Sequence, residues 1–197
     1  METVLILDFG AQYSQLIARR VREQNVYCEV KPCSISPAEI EKIAPIGIIL
    51  SGGPQSVYES VSPHVDPALF ALGIPVLGIC YGCQLMAYSL GGTVAAATEA
   101  TAREYGKTLT EFDTDCSIFQ GLPASSVTWM SHGDYISQVP DGFAVTAKTA
   151  VCPTAAMACP EKKLYGVQFH PEVQHTVEGS EMLRRFLYTV CGASGDW

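Results

Sequence analysis

The stretch Pro75-Val-Leu-Gly-Ile-Cys80-Tyr-Gly-Cys-Gln84 limits the folds open to this chain more than any other. Residues 76–79 form a short apolar run that reads as a buried strand. Residues 81–90 read as a helix with an apolar face at Leu85, Met86 and residues 88–90. Cys80 stands at the join, two residues from Gly78 and two from Gly82. Small residues at both places let a strand turn sharply into a helix, which pushes the central side chain into an exposed, strained position. A sulfur at a helix N-terminus meets amide N–H groups and the positive end of the helix dipole, and both favour thiolate. Three other readings compete: an ordinary core thiol, a Cys80-x-x-Cys83 redox pair between strand and helix, and half of a zinc site. The zinc reading lacks a second C-x-x-C. A base elsewhere in the chain decides among them.

The flanking sequence builds a sheet around that turn. Residues 3–8 (TVLILD) are nearly all apolar, the pattern of a strand buried on both faces. Phe9-Gly-Ala-Gln12 leads into a helix with Leu16, Ile17 and Val21 on one side. Residues 26–30 make a second strand. Ser36-Pro-Ala-Glu39 is a capping box with proline at the first helical position, opening a short helix to residue 43. Residues 47–50 make a third buried strand, ending in Ser51-Gly-Gly-Pro54. A loop-like segment with Pro54, Pro63 and Pro67 then reaches a short helix around residues 68–72. Strands alternating with helices across short connections predict an α/β fold. Its centre is an open, mainly parallel twisted sheet with helices on both faces, flavodoxin-like. Residues 93–149 are short segments rich in Val, Thr and aromatics, and predict a small antiparallel β flank. Residues 163–169 read as one more strand. Residues 180–190 read as a closing helix with Met182, Leu183, Phe186, Leu187 and Val190 inward.

With 197 residues, 48% of them hydrophobic, the chain can bury one sizeable core, placed over residues 1–191. Residues 192–197 read as a linker-like tail. A formal net charge of −8, with no basic run interleaved with aromatics, argues against nucleic acid as a partner. No apolar run is long enough to span a membrane, and the opening Met-Glu-Thr has no secretory pattern. Those features predict a cytoplasmic location, with the eight scattered cysteines mostly reduced.

The candidate base is His170, separated from Glu172 by Pro171 alone. Proline fixes its own φ and biases the residue before it toward an extended backbone. Side chains two apart in an extended stretch point the same way. Glu172 can therefore hold one imidazole nitrogen and leave the other for a nucleophile, the orienting job of a triad's third member. In an open α/β sheet, sites lie beyond the carboxyl ends of the strands, where Cys80, His170 and Gly52-Gly53 all fall. The backbone N–H groups of Gly53 and Tyr81 are candidates for an oxyanion hole. Ser51-Gly-Gly-Pro54 can equally be a plain turn. As a pyrophosphate loop it is poor, since Gln55 stands where an acid would be and Pro54 lacks an amide donor.

Six segments together carry a resemblance. They are Leu7-Asp-Phe-Gly-Ala-Gln-Tyr-Ser-Gln-Leu-Ile-Ala-Arg-Arg-Val21, Ser51-Gly-Gly-Pro54, Gly78-Ile-Cys-Tyr-Gly82 with Gln84, Arg103-Glu-Tyr-Gly106, Trp129-Met-Ser-His-Gly-Asp134 and Gly166-Val-Gln-Phe-His-Pro-Glu-Val173. The chain closely resembles the class I (triad) glutamine amidotransferases, and within them the glutaminase domains of GMP synthetases. The resemblance implies hydrolysis of L-glutamine to glutamate and ammonia through a Cys80–His170–Glu172 triad and a thioester. It places Gln84 and the backbone around His132, Gly133 and Asp134 on the glutamine; the His132 side chain is given no direct catalytic role, because His170 already fills the base position. It implies no metal or cofactor in this domain. ATP and Mg belong to an ATP pyrophosphatase (synthetase) domain or subunit that aminates XMP to GMP. The chain stops about where that domain begins, and its Gly-Ala-Ser-Gly-Asp-Trp197 ending reads as a linker toward it. One departure is Cys83, where related sequences usually carry an apolar residue such as Met. Two alternatives stay open: the same chemistry serving another acceptor or γ-glutamyl hydrolysis, and a catalytically silent glutamine-sensing module.

Overall fold

A computed structural model describes residues 1–10, 13–53, 56–57, 63–97 and 104–197. Parts of three of the six motif segments therefore lie outside the described residues: Ala11 and Gln12, Pro54, and Arg103; so does Gln55.

The chain runs β1 (Thr3–Asp8), α1 (Ser14–Glu23), β2 (Tyr27–Pro32), α2 (Pro37–Ile43), β3 (Gly47–Leu50), β4 (Val76–Ile79) and α3 (Tyr81–Ser89). It continues through β5 (Thr93–Ala96), β6 (Glu104–Phe112), β7 (Ser125–His132), β8 (Asp134–Gln138), β9 (Ala144–Lys148), β10 (Ala156–Cys159), β11 (Leu164–Val167) and α4 (Gly179–Arg185). Among the described residues the main sheet has the order β2-β1-β3-β4-β11-β10-β9-β6-β7. The half from β2 to β11 is parallel. From β10 outward the pairing is antiparallel. A separate small antiparallel sheet pairs β5 with β8. The α/β sheet, the helices on both faces and the antiparallel flank expected from the sequence are all present. Most of the antiparallel part is hydrogen-bonded onto the main sheet rather than lying beside it.

The pleat divides the core in two. On β1, Val4 and Ile6 enter one apolar cluster, with Ile17, Ala18 and Val21 of α1 and Met182 and Leu183 of α4. Leu5 and Leu7 enter the other, with Ile40 of α2 and Leu85, Met86 and Ala87 of α3. The strands are apolar on both faces because both faces are covered.

Local signals held where their chemistry was self-contained. Ser36 Oγ accepts from Glu39 N–H at 3.2 Å, as the capping box requires. The short helix after the proline-rich segment is a 3₁₀ turn, Pro67–Ala71, capped by Asp66. The second strand starts at Tyr27 rather than at Val26 and runs to Pro32. The closing helix widens after Arg185 into a π turn, Phe186–Val190, with Met182, Leu183, Phe186 and Leu187 buried and Val190 half-buried. Ser194 N–H donates to Glu2 Oε2 at 2.9 Å and the Trp197 ring lies 6.0 Å from that of Tyr27, so residues 192–197 lie back along the start of the chain.

Candidate active site

Three glycines let α3 sit almost on the sheet. Gly78 of β4 and Gly166 of β11 are register partners on the α3 side. A Cβ on Gly78 would lie 2.6 Å from the carbonyl oxygen of Gly82, and one on Gly166 would lie 2.6 Å from Cys83 Sγ. A Cβ on Gly82 would lie 2.5 Å from the carbonyl oxygen of Leu50. Helix and strands approach too closely for side chains at those points. That proximity forces the turn between them into one residue.

That residue, Cys80, takes φ 53° and ψ −108°, a conformation L side chains rarely adopt. Such strain amounts to roughly 1–3 kcal/mol and persists only where the surroundings over-determine it. Here Cys80 N–H donates to Val167 O at 2.8 Å, and Cys80 O accepts from Gln84 N–H at 3.1 Å. The sequence predicts an exposed side chain, yet the residue is only 7% exposed. The elbow sets Cys80 in the wall of a pocket rather than on the open surface. The apolar face expected on α3 is also wider than its spacing suggests. Every residue from Tyr81 to Ala87 is buried, whereas Tyr88 is 47% exposed.

His170 follows β11, the strand beside β4. Its Nδ1 lies 3.0 Å from Glu172 Oε2, which leaves its other nitrogen for Cys80. Burial alone would pull the imidazole pKa down. The hydrogen bonds to Cys80 and Glu172, with their negative charge, outweigh it and hold the group well above its ordinary value. The backbone is fixed as firmly. His170 N–H donates to Trp129 O at 3.0 Å, Thr176 Oγ donates to His170 O at 2.6 Å, and Arg20 Nε donates to Glu172 O at 2.9 Å. The Tyr13 ring meets the imidazole at 73°, centroids 5.7 Å apart.

Cys80 opens on a cavity of about 410 Å³. Gly53, Tyr81, Gln84, His132, Gly133 and Asp134 all line it. The six oxyanion and glutamine candidates thus surround one space, with Cys80 in its wall. Gly53 packs against the Tyr81 ring, where a Cβ would come within 3.2 Å of Cγ. The amide of Tyr81 opens α3, at the positive end of the helix dipole.

Behind the pocket wall a second buried Cys/His/Glu group meets. Ligand atoms of Glu104, His132 and Cys152 lie within 4.8 Å of one another. Hydrogen bonds account for this group. His132 Nδ1 donates to Asp134 O at 2.7 Å, a proton lies between Nε2 and Glu104 Oε1 at 3.0 Å, and Thr149 Oγ donates to Glu104 Oε2 at 2.7 Å. Burial, and then the Glu104 charge, push the Cys152 thiol up to about 12. The His132 side chain is thus committed to bracing the loop rather than to the nucleophile.

Gln168 had no role in the reading of the sequence beyond its place in Gly166-Val-Gln-Phe-His-Pro-Glu-Val173. It is fully buried, and its Nε2 lies 3.6 Å from Cys80 Sγ. The usable signal was its position two residues before His170 on the same strand end.

A family profile, glutamine amidotransferase class-I, matches residues 5–190. The chain is 56% identical over 196 residues to a glutamine-hydrolysing GMP synthase of Clostridium botulinum (strain Alaska E43 / Type E3). It is 58% identical over the same length to that of Caldanaerobacter subterraneus subsp. tengcongensis. Both matches cover 100% of this chain and 38% of the relative, so the chain spans about two fifths of the length of those relatives. A crystal structure of a candidate GMP synthase subunit from Thermoplasma acidophilum superposes with a TM-score of 0.83 at 30% identity, covering 98% of this chain and 94% of that one. A glutamine amidotransferase from Thermotoga maritima shares the fold at TM-score 0.77 and 20% identity, covering 98% and 99%. The profile takes in the elbow, the pocket loop and the His170-Pro-Glu172 corner together, and on that match the chain belongs to the class-I glutamine amidotransferase family.

Proposed function

We propose that the chain hydrolyses L-glutamine to glutamate and ammonia, and that the ammonia aminates XMP to GMP on an ATP pyrophosphatase (synthetase) domain or subunit. The observation that carries the first half is the strained Cys80 at the wall of the cavity with the His170–Glu172 pair behind it. The second half rests on the likeness over the whole chain to glutamine-hydrolysing GMP synthases.

In this reading the side-chain amide of glutamine lies over Cys80, its other end held by Gln84 and the loop of His132, Gly133 and Asp134. The Cys80 sulfur, its proton already on His170, attacks the amide carbon. The carbonyl electrons move onto oxygen, where the N–H groups of Gly53 and Tyr81 stabilise the charge. His170 then gives its proton to the departing nitrogen, the C–N bond breaks, ammonia leaves and a γ-glutamyl thioester remains. A water gives a proton to His170 as it attacks that thioester, and the C–S bond breaks to release glutamate and Cys80. Glu172 fixes the tautomer of His170 and stabilises its charged form. Residues 1–191 are the glutaminase unit in this account, and residues 192–197 lead toward the synthetase. ATP and Mg are needed only there, and the glutaminase chemistry uses neither a metal nor a cofactor.

The test is glutamate and GMP formation from glutamine, XMP, ATP and Mg, with the chain and a GMP-synthetase ATP pyrophosphatase partner. Cys80→Ala should abolish glutamine-dependent GMP formation yet leave GMP formation from free ammonium intact. Loss of both activities would sink the division of labour, and unchanged glutamate release would sink the nucleophile.

A further inference from the structure

We infer that Gln168 belongs to the reacting site, where its side-chain amide donates an N–H to Cys80 Sγ and stabilises the sulfur as thiolate. The inference deepens the reading of Cys80 as nucleophile and rests on it.

The orientation of the amide follows from its neighbours. Gln84 lies 3.1 Å from the carbonyl oxygen of Asp134. A carbonyl can only accept, so Gln84 must present its NH₂ group there. The second N–H of that group faces Gln168 at 3.0 Å, and a donor there requires the Gln168 carbonyl oxygen. The Gln168 NH₂ group is then left to face Cys80 Sγ at 3.6 Å. Flipping either amide would set two acceptors or two donors against each other inside a buried site. The Asp134 carbonyl is itself held, because His132 Nδ1 donates to it and Glu104 holds the far side of that ring. The Gln168 backbone is pinned as well, its N–H donating to Ala155 O at 2.8 Å.

The groups around Sγ divide by charge state. The carbonyl oxygen of Ser131, 3.7 Å away, accepts and so favours the thiol. Gln168 donates and favours the thiolate. His170 takes the proton, and Cys83 is the further titratable neighbour. A donor that remains in place after the proton has left stabilises the anion that must attack. A hydrogen bond to a charged group in a buried site changes an equilibrium by roughly ten- to a hundredfold.

The measurement is the rate of Cys80 alkylation by iodoacetamide against pH, mapped by peptide mass so that the other cysteines do not count. Cys80→Ala serves as the blank. Gln168→Met keeps the length and loses the donor, and Gln168→Glu keeps the shape and brings a carboxylate. The alkylation midpoint should rise by about one pH unit in Gln168→Met and further in Gln168→Glu. Glutamate release should fall roughly ten- to a hundredfold, in kcat rather than KM. Midpoints unmoved in both variants, with cooperative unfolding like the parent's, would overturn the assignment. Should Gln168→Met fail to fold, Gln84→Met leaves Gln168 in place and removes the partner that orients it. Its midpoint should also rise, and an unmoved one would overturn the oriented donor. The two readings fail separately: a parent chain that alkylates normally but never releases glutamate refutes the functional proposal, while the midpoints still decide the role of Gln168.

Discussion

A Cβ on Gly166 would lie 2.6 Å from the sulfur of Cys83, so that sulfur fills the space that a side chain on β11 would occupy. The contact explains why α3 begins where it does, and it makes Cys83 part of the packing between helix and sheet. Gly166→Ala should destabilise the fold by about 1–3 kcal/mol, the range for overpacking a full core. Cys83→Ala should relieve much of that, so the double variant should be more stable than the sum of the singles. The coupling, about 1 kcal/mol or more for side chains in contact, is read from a denaturant double-mutant cycle. Simple additivity would mean that the two side chains do not share that space.

The same burial bears on oxidation. Desolvation, and then the neighbouring charge of Cys80, hold the Cys83 thiol well above its ordinary pKa. A thiol kept protonated is a poor partner for a sulfenic acid. Peroxide should therefore inactivate the parent and Cys83→Met equally, with no Cys80–Cys83 disulfide in the mapped peptides. Inactivation that reductant reverses in the parent alone would show instead that the first turn of α3 opens.

Removing members of the triad should have graded effects. Cys80→Ala and His170→Ala should each lower glutamine hydrolysis by at least about a thousandfold. Glu172→Ala should be milder, by roughly a hundredfold relative to loss of the nucleophile, because an orienting group is partly replaced by the fixed backbone of its neighbour. The check is kcat for glutamate release from each variant. Equal loss for all three would mean that Glu172 does more than orient.

The charged His170 also sets a pH dependence. Its folded pKa is raised from the ordinary 6.5, so its contribution to stability is fully present below about pH 6.5 and is lost as pH rises through the raised value. In the proposed mechanism the imidazolium that protonates the departing nitrogen survives to the same alkaline range. Glutamate release should show no alkaline decline near pH 7, and Glu172→Gln should bring that decline to lower pH. A parent profile already falling between about pH 6 and 7 would contradict the ion pair.

Much of this site was legible because its signals are local. A G-x-C-x-G turn and a His-Pro-Glu corner carry their geometry within five and three residues, and the strand ends bring them together. The antiparallel half was legible as strands but not as an extension of the main sheet, since β9 and β10 join β11 to β6 through pairings distant in sequence. The brace of Glu104 and His132 was hidden for the same reason, its partners lying 28 residues apart on paired strands. Gln168 was hidden in plain view. Its amide gains meaning only when Gln84, 84 residues earlier, fixes which end faces the sulfur.

The account stands most directly on the covalent intermediate. The parent chain, with a GMP-synthetase ATP pyrophosphatase partner present, would be mixed with carbon-labelled glutamine, quenched in acid during turnover and digested. The label should be found as a γ-glutamyl group on the peptide carrying Cys80, and should be absent from Cys80→Ala. Glutamate released at the parent rate with no label on Cys80, or by Cys80→Ala as fast as by the parent, would contradict it.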